Sequence, residues 1–345
     1  MTIEGSSSGR PVYPFAGIVG QEEMKLSLLL TVIDQAIGGA LIFGHRGTGK
    51  STAVRALADL LPPIRRVKGC PYNCDPDSPA QLCDACAARQ RKGKLSAERV
   101  TVPVVDLPLG ATEDRVCGTL DIERALSHGV KSFEPGLLAR ANRGFLYIDE
   151  VNLLEDHLVD LLLDVAASGR NVVEREGISE KHPSRFVLVG SGNPEEGDLR
   201  PQLLDRFGLH AEIKTIVDPA RRVEIVERCD LFERDPDSFR KKMKPEQERL
   251  RSRIVRARRL LRRVKTERSL MLRVAELCAG LGVDGHRGEL TIARAARAHA
   301  AFFGRSAVTI EDVRRVAVMS LRHRLRKDPL ETAESSGRID EAVDK

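Results

Sequence analysis

Apolar residues follow two regimes along the 345-residue chain. Up to about residue 217, short unbroken runs alternate with segments of helical periodicity. The runs are "ALIFG" from Ala40, "VPVVDL" from Val102, "GFLYIDE" from Gly144 and "RFVLVGSGN" from Arg185. A strand covered on both faces shows no polar alternation, so these runs predict buried parallel strands, with "LHAEI" from Leu209 as a fifth. Strands alternating with helices predict a doubly wound α/β domain over residues 17–217, after a tail at 1–16. Beyond Asp218 the strand runs stop and apolar residues recur every three or four positions, predicting an all-helical domain over 218–328. The polar end, 329–345, predicts a frayed tail.

The first run leads into "GHRGTGKS", Gly44 to Ser51, which has the spacing of a phosphate-binding loop between a strand and a helix. Gly44, Gly47 and Gly49 let backbone N–H groups approach phosphates. Thr48 and Thr52 lie within and just after the loop, Lys50 reaches the β and γ phosphates, and Ser51 offers a hydroxyl to Mg²⁺. The chain is therefore expected to bind ATP with Mg²⁺. "FLYIDE" places Asp149 and Glu150 at the carboxyl end of a buried strand, where Asp149 can hold Mg²⁺ and Glu150 can orient or deprotonate the attacking water. Asn193, at the end of "VLVGSGN", can share that water without adding charge. Arg206 in "LLDRF" suits an arginine finger offered to a neighbouring subunit, although taken alone it reads as a surface salt bridge. Ile18 and Val19 in "IVGQEE" suit packing on an adenine ring or a plain hydrophobic staple.

Charge and cysteines add two further features. Between Arg240 and Arg273 stand 15 Lys and Arg against 3 Asp and Glu, within a chain whose formal net charge is only +6. Leu250, Ile254, Ala257, Leu261 and Val264 form an apolar stripe there, so the block reads as a surface helix, with an acidic partner favoured over nucleic acid. Four of the 7 cysteines, Cys70, Cys74, Cys83 and Cys86, fall in an insertion over 68–98 with spacing C-x3-C-x8-C-x2-C. Structural Zn²⁺, redox disulfides and unliganded thiols all remain open. Cys117, Cys229 and Cys278 are expected to be small core residues. The N-terminal stretch lacks a signal-peptide core, and no apolar run approaches the roughly 20 residues needed to span a bilayer, so a cytoplasmic location without membrane insertion is expected.

The set "GHRGTGKS", "FLYIDE", "SGNP", "LLDRF" and "RGEL" resembles AAA+ ATPases. Longer phrases, among them "PVVDLPLGATEDRVCGTLDIERAL" and "HPSRFVLVGSGNPEEGDLRPQLLDRFGL", are similar to the magnesium chelatase I-subunit family, from about Pro11 to Asp328. That resemblance implies a P-loop AAA+ module with a five-stranded parallel sheet and a helical lid. It further implies a homo-oligomeric ring, usually hexameric, which joins a D subunit and drives an H subunit that inserts Mg²⁺ into protoporphyrin IX. By motif, Lys50 and Ser51 bind phosphate and Mg²⁺, Asp149 and Glu150 are the Walker B acids, and Asn193 is sensor 1. Arg206 is then the finger acting in trans, and Arg287 is sensor 2 reaching the γ phosphate from the lid, with Arg294 as fallback. The insertion 109–144 is expected to hold a helix interrupted by a β-hairpin. "EDR" and "GVKSFEPG" are its candidate contact surfaces, unless the insertion is structural decoration. A MoxR-like chaperone and an MCM-like DNA-dependent ATPase are the alternatives.

Overall fold

The computed structural model describes residues 11–120, 133–175, 178–197, 199, 201–325 and 335–344. The five apolar runs form one parallel sheet: β1 (Ala40–Gly44), β2 (Val104–Leu107), β3 (Phe145–Ile148), β4 (Val187–Gly192) and β5 (Leu209–Ile213). Their order across the sheet is β5-β1-β4-β3-β2. Successive side chains point to opposite faces, and each face has its own core. Ala40 and Ile42 of β1 pack with the helices Glu22–Ile33 and Lys50–Leu60, whereas Leu41 packs on the other face with the helix Asp156–Ser168. Because every strand is parallel, all carboxyl ends meet at one edge of the sheet, and all amino ends at the other.

After β5 the chain is helical, as its periodicity predicts. Within the basic helix Pro236–Leu260, Ile254 and Ala257 are buried, and Val264 beyond it is buried too. Its arginines reach inward: Arg251 Nε donates to the Leu60 carbonyl at 2.7 Å and Arg258 Nε to the Val32 carbonyl at 3.0 Å. Each cation caps the carboxyl end of a helix of the α/β domain, where carbonyls lack intrahelical donors. These two arginines thus help fasten the two halves of the molecule together.

The polar end differs from its expected frayed state. Residues Ser335–Asp344 form a helix whose Ile339 is fully buried, with Val343 packed against the same core. Ile339, Ala342 and Val343 lie at i, i+3 and i+4, a short apolar stripe that a polar average conceals. Among the described residues, three antiparallel strand pairs decorate the α/β core: Ile64–Val67 with Ala97–Val100, Gly118–Leu120 with Phe133–Pro135, and Arg170–Arg175 with Ile178–Pro183. In the insertion the helix Glu113–Cys117 leads into the second hairpin, and the helix Leu137–Ala141 follows it. The part of "GVKSFEPG" before Phe133 lies outside the described residues. Among the described residues, no helix is long and apolar enough to cross a membrane.

Candidate functional site

The carboxyl edge of the sheet carries the phosphate loop. Its glycines are required for two different reasons. A Cβ on Gly44 would meet the Ile213 backbone oxygen at 2.9 Å, so this position is closed by packing against β5. Gly47 and Gly49 face open space but hold φ of 77° and 80°, the left-handed region that side chains rarely adopt. The ammonium of Lys50 folds back on this cradle, donating to the carbonyls of Gly44, His45 and Gly192. Burial lowers the Lys50 pKa, against the opposing pull of Asp149 and Glu150. These are the features of a loop built for anions: open N–H groups at a helix start, and a cation now resting on carbonyls.

Asp149 and Glu150 follow β3, which lies beside β4. Asp149 Oδ1 accepts from Ser191 Oγ at 2.6 Å and from Tyr147 Oη at 2.9 Å, which fixes the carboxylate at the edge. Burial raises the Tyr147 pKa, so its hydroxyl stays a donor. Glu150 sits at φ 56°, a left-handed conformation uncommon for a side-chain-bearing residue, and its N–H donates to Ser191 Oγ at 3.2 Å. Local strain of this kind clusters where a side chain must be aimed. The Glu150 carboxylate pairs with Arg46 at 3.1 Å, and Arg46 also pairs with Glu196. Asn193 is nearly fully buried, and its Oδ1 accepts the Glu195 N–H at 3.3 Å. Ile18 and Val19 are half-exposed, and the neighbouring Gly20 abuts Ile216 just beyond the end of β5, at this same edge.

The arginines lie elsewhere. Arg206 closes the helix Pro201–Arg206 ahead of β5, at the amino edge of the sheet, where it pairs with Asp164 at 2.6 Å. Arg287 stands beside it, with Nη1 2.8 Å from Asp205 Oδ2, while Arg294 donates to the Ala36 carbonyl ahead of β1. Arg206, Arg287, Arg294 and Arg324 line one cleft with Gly38 and Leu290. The strands, about 15 Å long, separate this cleft from the phosphate loop. Within one copy of the chain, Arg287 therefore stands away from the phosphate loop. Packing of the helix Arg287–Phe302 behind the sheet carries Arg287, and Arg294 with it, to the opposite edge.

The four insertion cysteines are all buried, and their sulfurs lie within 4.8 Å of one another. The Cys83 N–H donates to Cys74 Sγ at 3.1 Å, and Cys70 Sγ is 3.9 Å from Cys83 Sγ. Hydrogen bonds from Cys74 and Cys83 pull Cys70 toward the thiolate. This is a set of soft donors able to hold a metal ion. Cys117 and Cys278 are buried as expected, but Cys229 is exposed, because its helix Pro219–Arg234 buries none of its residues. Sequence reasoning missed Arg46, Tyr147, Ser191 and Glu196. Ser191, two residues before Asn193, and Tyr147, two before Asp149, share the two-residue period that puts them on one face of adjacent strands, and that period was the available signal.

The chain as a whole is similar to known proteins. The family model described as "Magnesium chelatase, subunit ChlI" matches residues 121–201, and that described as "AAA lid domain" matches residues 271–343. The chain is 62% identical over 335 residues to the magnesium-chelatase 38 kDa subunit of Chlorobaculum tepidum, covering 96% of this chain and 86% of that protein. It is 60% identical over 338 residues to magnesium-chelatase subunit ChlI of a Nostoc species, covering 97% and 90%. A cryo-EM-based structure of the complex between subunits BchI and BchD of magnesium chelatase contains a chain 54% identical, with coverage of 97% and 100% and a TM-score of 0.56. A putative ATPase from Cytophaga hutchinsonii shares the fold at 18% identity, with coverage of 96% and 91% and a TM-score of 0.64.

Proposed function

This chain belongs to the family of magnesium chelatase I subunits, and from that premise we propose how its residues divide the work. The protein is the ATP-hydrolysing subunit of magnesium chelatase, whose turnover drives magnesium insertion in chlorophyll and bacteriochlorophyll synthesis. The observation that carries the assignment of roles is the convergence of Lys50, Ser51, Asp149, Glu150 and Asn193 on one edge of the sheet. Gly44, Gly47, Thr48, Gly49, Lys50, Ser51 and Thr52 cradle the triphosphate, and Ile18 with Val19 receives the adenine. Ser51 and Asp149 hold Mg²⁺, which when bound neutralises charge on the phosphates. Glu150 orients and deprotonates water, and Asn193 keeps that water in line. Arg46, now paired with Glu150, is displaced from it when the phosphates arrive.

Arg206 and Arg287 serve the nucleotide of a neighbouring copy, with Arg294 and Arg324 holding the cleft behind them. The Arg206 partner, Asp164, is 72% exposed, so this pair is weak and readily exchanged for a phosphate. The functional unit is then a ring of copies, six by family habit, joined to a D subunit and driving the H subunit that inserts Mg²⁺ into protoporphyrin IX. The site is cytoplasmic, with no nucleic acid and no membrane insertion involved, and the cysteine cluster holds a structural Zn²⁺. Reconstitution with D and H subunits, Mg-ATP and protoporphyrin IX tests the whole reading. Fluorescence of magnesium porphyrin is expected with the wild-type chain and none with Lys50→Ala. Equal signals from the two would overturn it.

A further inference from the structure

The cysteine insertion is a small module in its own right. Its enclosed side chains are Val67, Cys70, Tyr72, Cys74, Cys83 and Cys86, closed by Ala139 from a neighbouring helix. A core so small and so rich in thiols gives little apolar burial with which to order the Ile64–Val67/Ala97–Val100 hairpin, the turn after it and the helix Asp84–Lys92. A metal ion supplies what such a core lacks. Zinc with four thiolates at about 2.3 Å gives sulfur–sulfur edges of about 3.8 Å. Cys70 and Cys83, at 3.9 Å, already span such an edge, well beyond a disulfide bond. Cys83 stands at the N-cap position of the helix Asp84–Lys92 and Cys86 lies in its first turn, where the helix dipole favours thiolates.

The residues between the first two cysteines point outward to three other elements. The Tyr72 ring stacks on His182 with centroids 4.6 Å apart, and its hydroxyl donates to Glu180 at 3.1 Å. Both partners belong to the Ile178–Pro183 strand. His182 in turn lies 3.0 Å from Asn171 Nδ2, which donates to the Cys117 carbonyl of the insertion helix at 2.8 Å. The Tyr72 carbonyl accepts from Asn142 Nδ2 at 2.6 Å, and Asn142 Oδ1 accepts the N–H of Arg185 at 2.9 Å. Asn73, held at φ 48°, donates to the Arg140 carbonyl at 3.1 Å, and Arg143, held at φ 64°, pairs with Asp75 at 3.0 Å. The turn before β3, the strand that Asp149 follows, is thus anchored on the module.

We propose that Cys70, Cys74, Cys83 and Cys86 close around one Zn²⁺, and that this ion sets, through Tyr72 and Asn73, the position of the Arg170–Arg175/Ile178–Pro183 hairpin and of the turn entering β3. The positioning role rests on the zinc reading above, and the two fail separately. Purified full-length protein is expected to carry about one zinc per chain. Substoichiometric zinc with four freely titrating thiols would overturn the site. With zinc removed by a chelator, hydrogen exchange should rise about 10-fold or more in peptides covering 140–146, 170–175 and 178–183, and stay unchanged over 287–302. Zinc that leaves without any change in those peptides would overturn the positioning role while keeping the ion. Since metal loss can unfold the module itself, Tyr72→Ala supplies the second arm. It should keep its zinc yet loosen 178–183. Unaltered exchange there would again count against the coupling, and neither readout involves nucleotide.

Discussion

The two edges of the central sheet are complementary in charge. At the carboxyl edge, a cradle of open backbone N–H groups and Lys50 faces Asp149 and Glu150, while Arg206 and Arg287 are absent from it. At the amino edge, Arg206, Arg287, Arg294 and Arg324 gather in one cleft, with Asp164 and Asp205 as partners. A parallel sheet cannot bring its two ends together. The contrast is what the proposed function rests on: under that proposal, the amino edge of one copy completes the carboxyl edge of the next.

The sharpest way to break that contrast is to remove Arg206, the proposed finger. Arg206→Ala is expected to lower steady-state ATP turnover by about 10³-fold or more. Mixing it with Lys50→Ala subunits, which keep the finger but lose the cradle, should restore part of the rate. If no mixing ratio restores activity, the two edges do not serve one another. Next, Glu150→Gln should bind ATP like the wild type and lose about 10²–10⁴-fold in turnover. Wild-type turnover in that variant would remove Glu150 from the chemistry.

A pH titration tests the arginine edge from the stability side. Burial, with Arg322 nearby, pushes His210 down to about 3, and burial beside Arg324 holds His323 well below its usual value. The native state keeps both rings neutral, whereas the unfolded chain takes up protons below about pH 6.5. Stability is therefore full above that value and falls as pH drops toward 3, by about 2 kcal/mol for His210 between pH 7 and 5, with His323 adding in the same direction. Denaturant midpoints at the two pH values would measure it, and His210→Phe should flatten the slope. A profile flat between pH 7 and 5 in the wild type would contradict the burial. The smallest effect is expected from Arg46→Ala. Its pairs with Glu150 and Glu196 involve an arginine that is 70% exposed, so turnover should change no more than about five-fold. A loss beyond about 100-fold would place Arg46 among the groups that stabilise the transferring phosphate and blur the difference between the edges.

Legibility in the sequence followed the range of the signal. The five strands were legible because unbroken apolar runs mark strands covered on both faces. The phosphate loop and the two acids were legible because each sits within a few residues of its strand. The Arg170–Arg175/Ile178–Pro183 hairpin was not. It offers little apolar pattern, with Val172 52% exposed, and it is fixed by Tyr72 about 110 residues away. The C-terminal helix was hidden because its stripe is only Ile339, Ala342 and Val343 within a polar average.

What this sequence determined by itself was chemistry of short range: which residues can cradle phosphate, which acids stand at a strand end, which four thiols can meet. Family membership was also legible in its long phrases, and the comparisons establish it. Only the tertiary structure decided where the late helices dock. Whether Arg287 faces its own nucleotide or the opposite edge depends on how the helix Arg287–Phe302 packs behind the sheet and on the Arg258 and Arg251 caps that fasten the helical half. Those contacts join residues some 190 to 230 positions apart, and no local period along the chain encodes them.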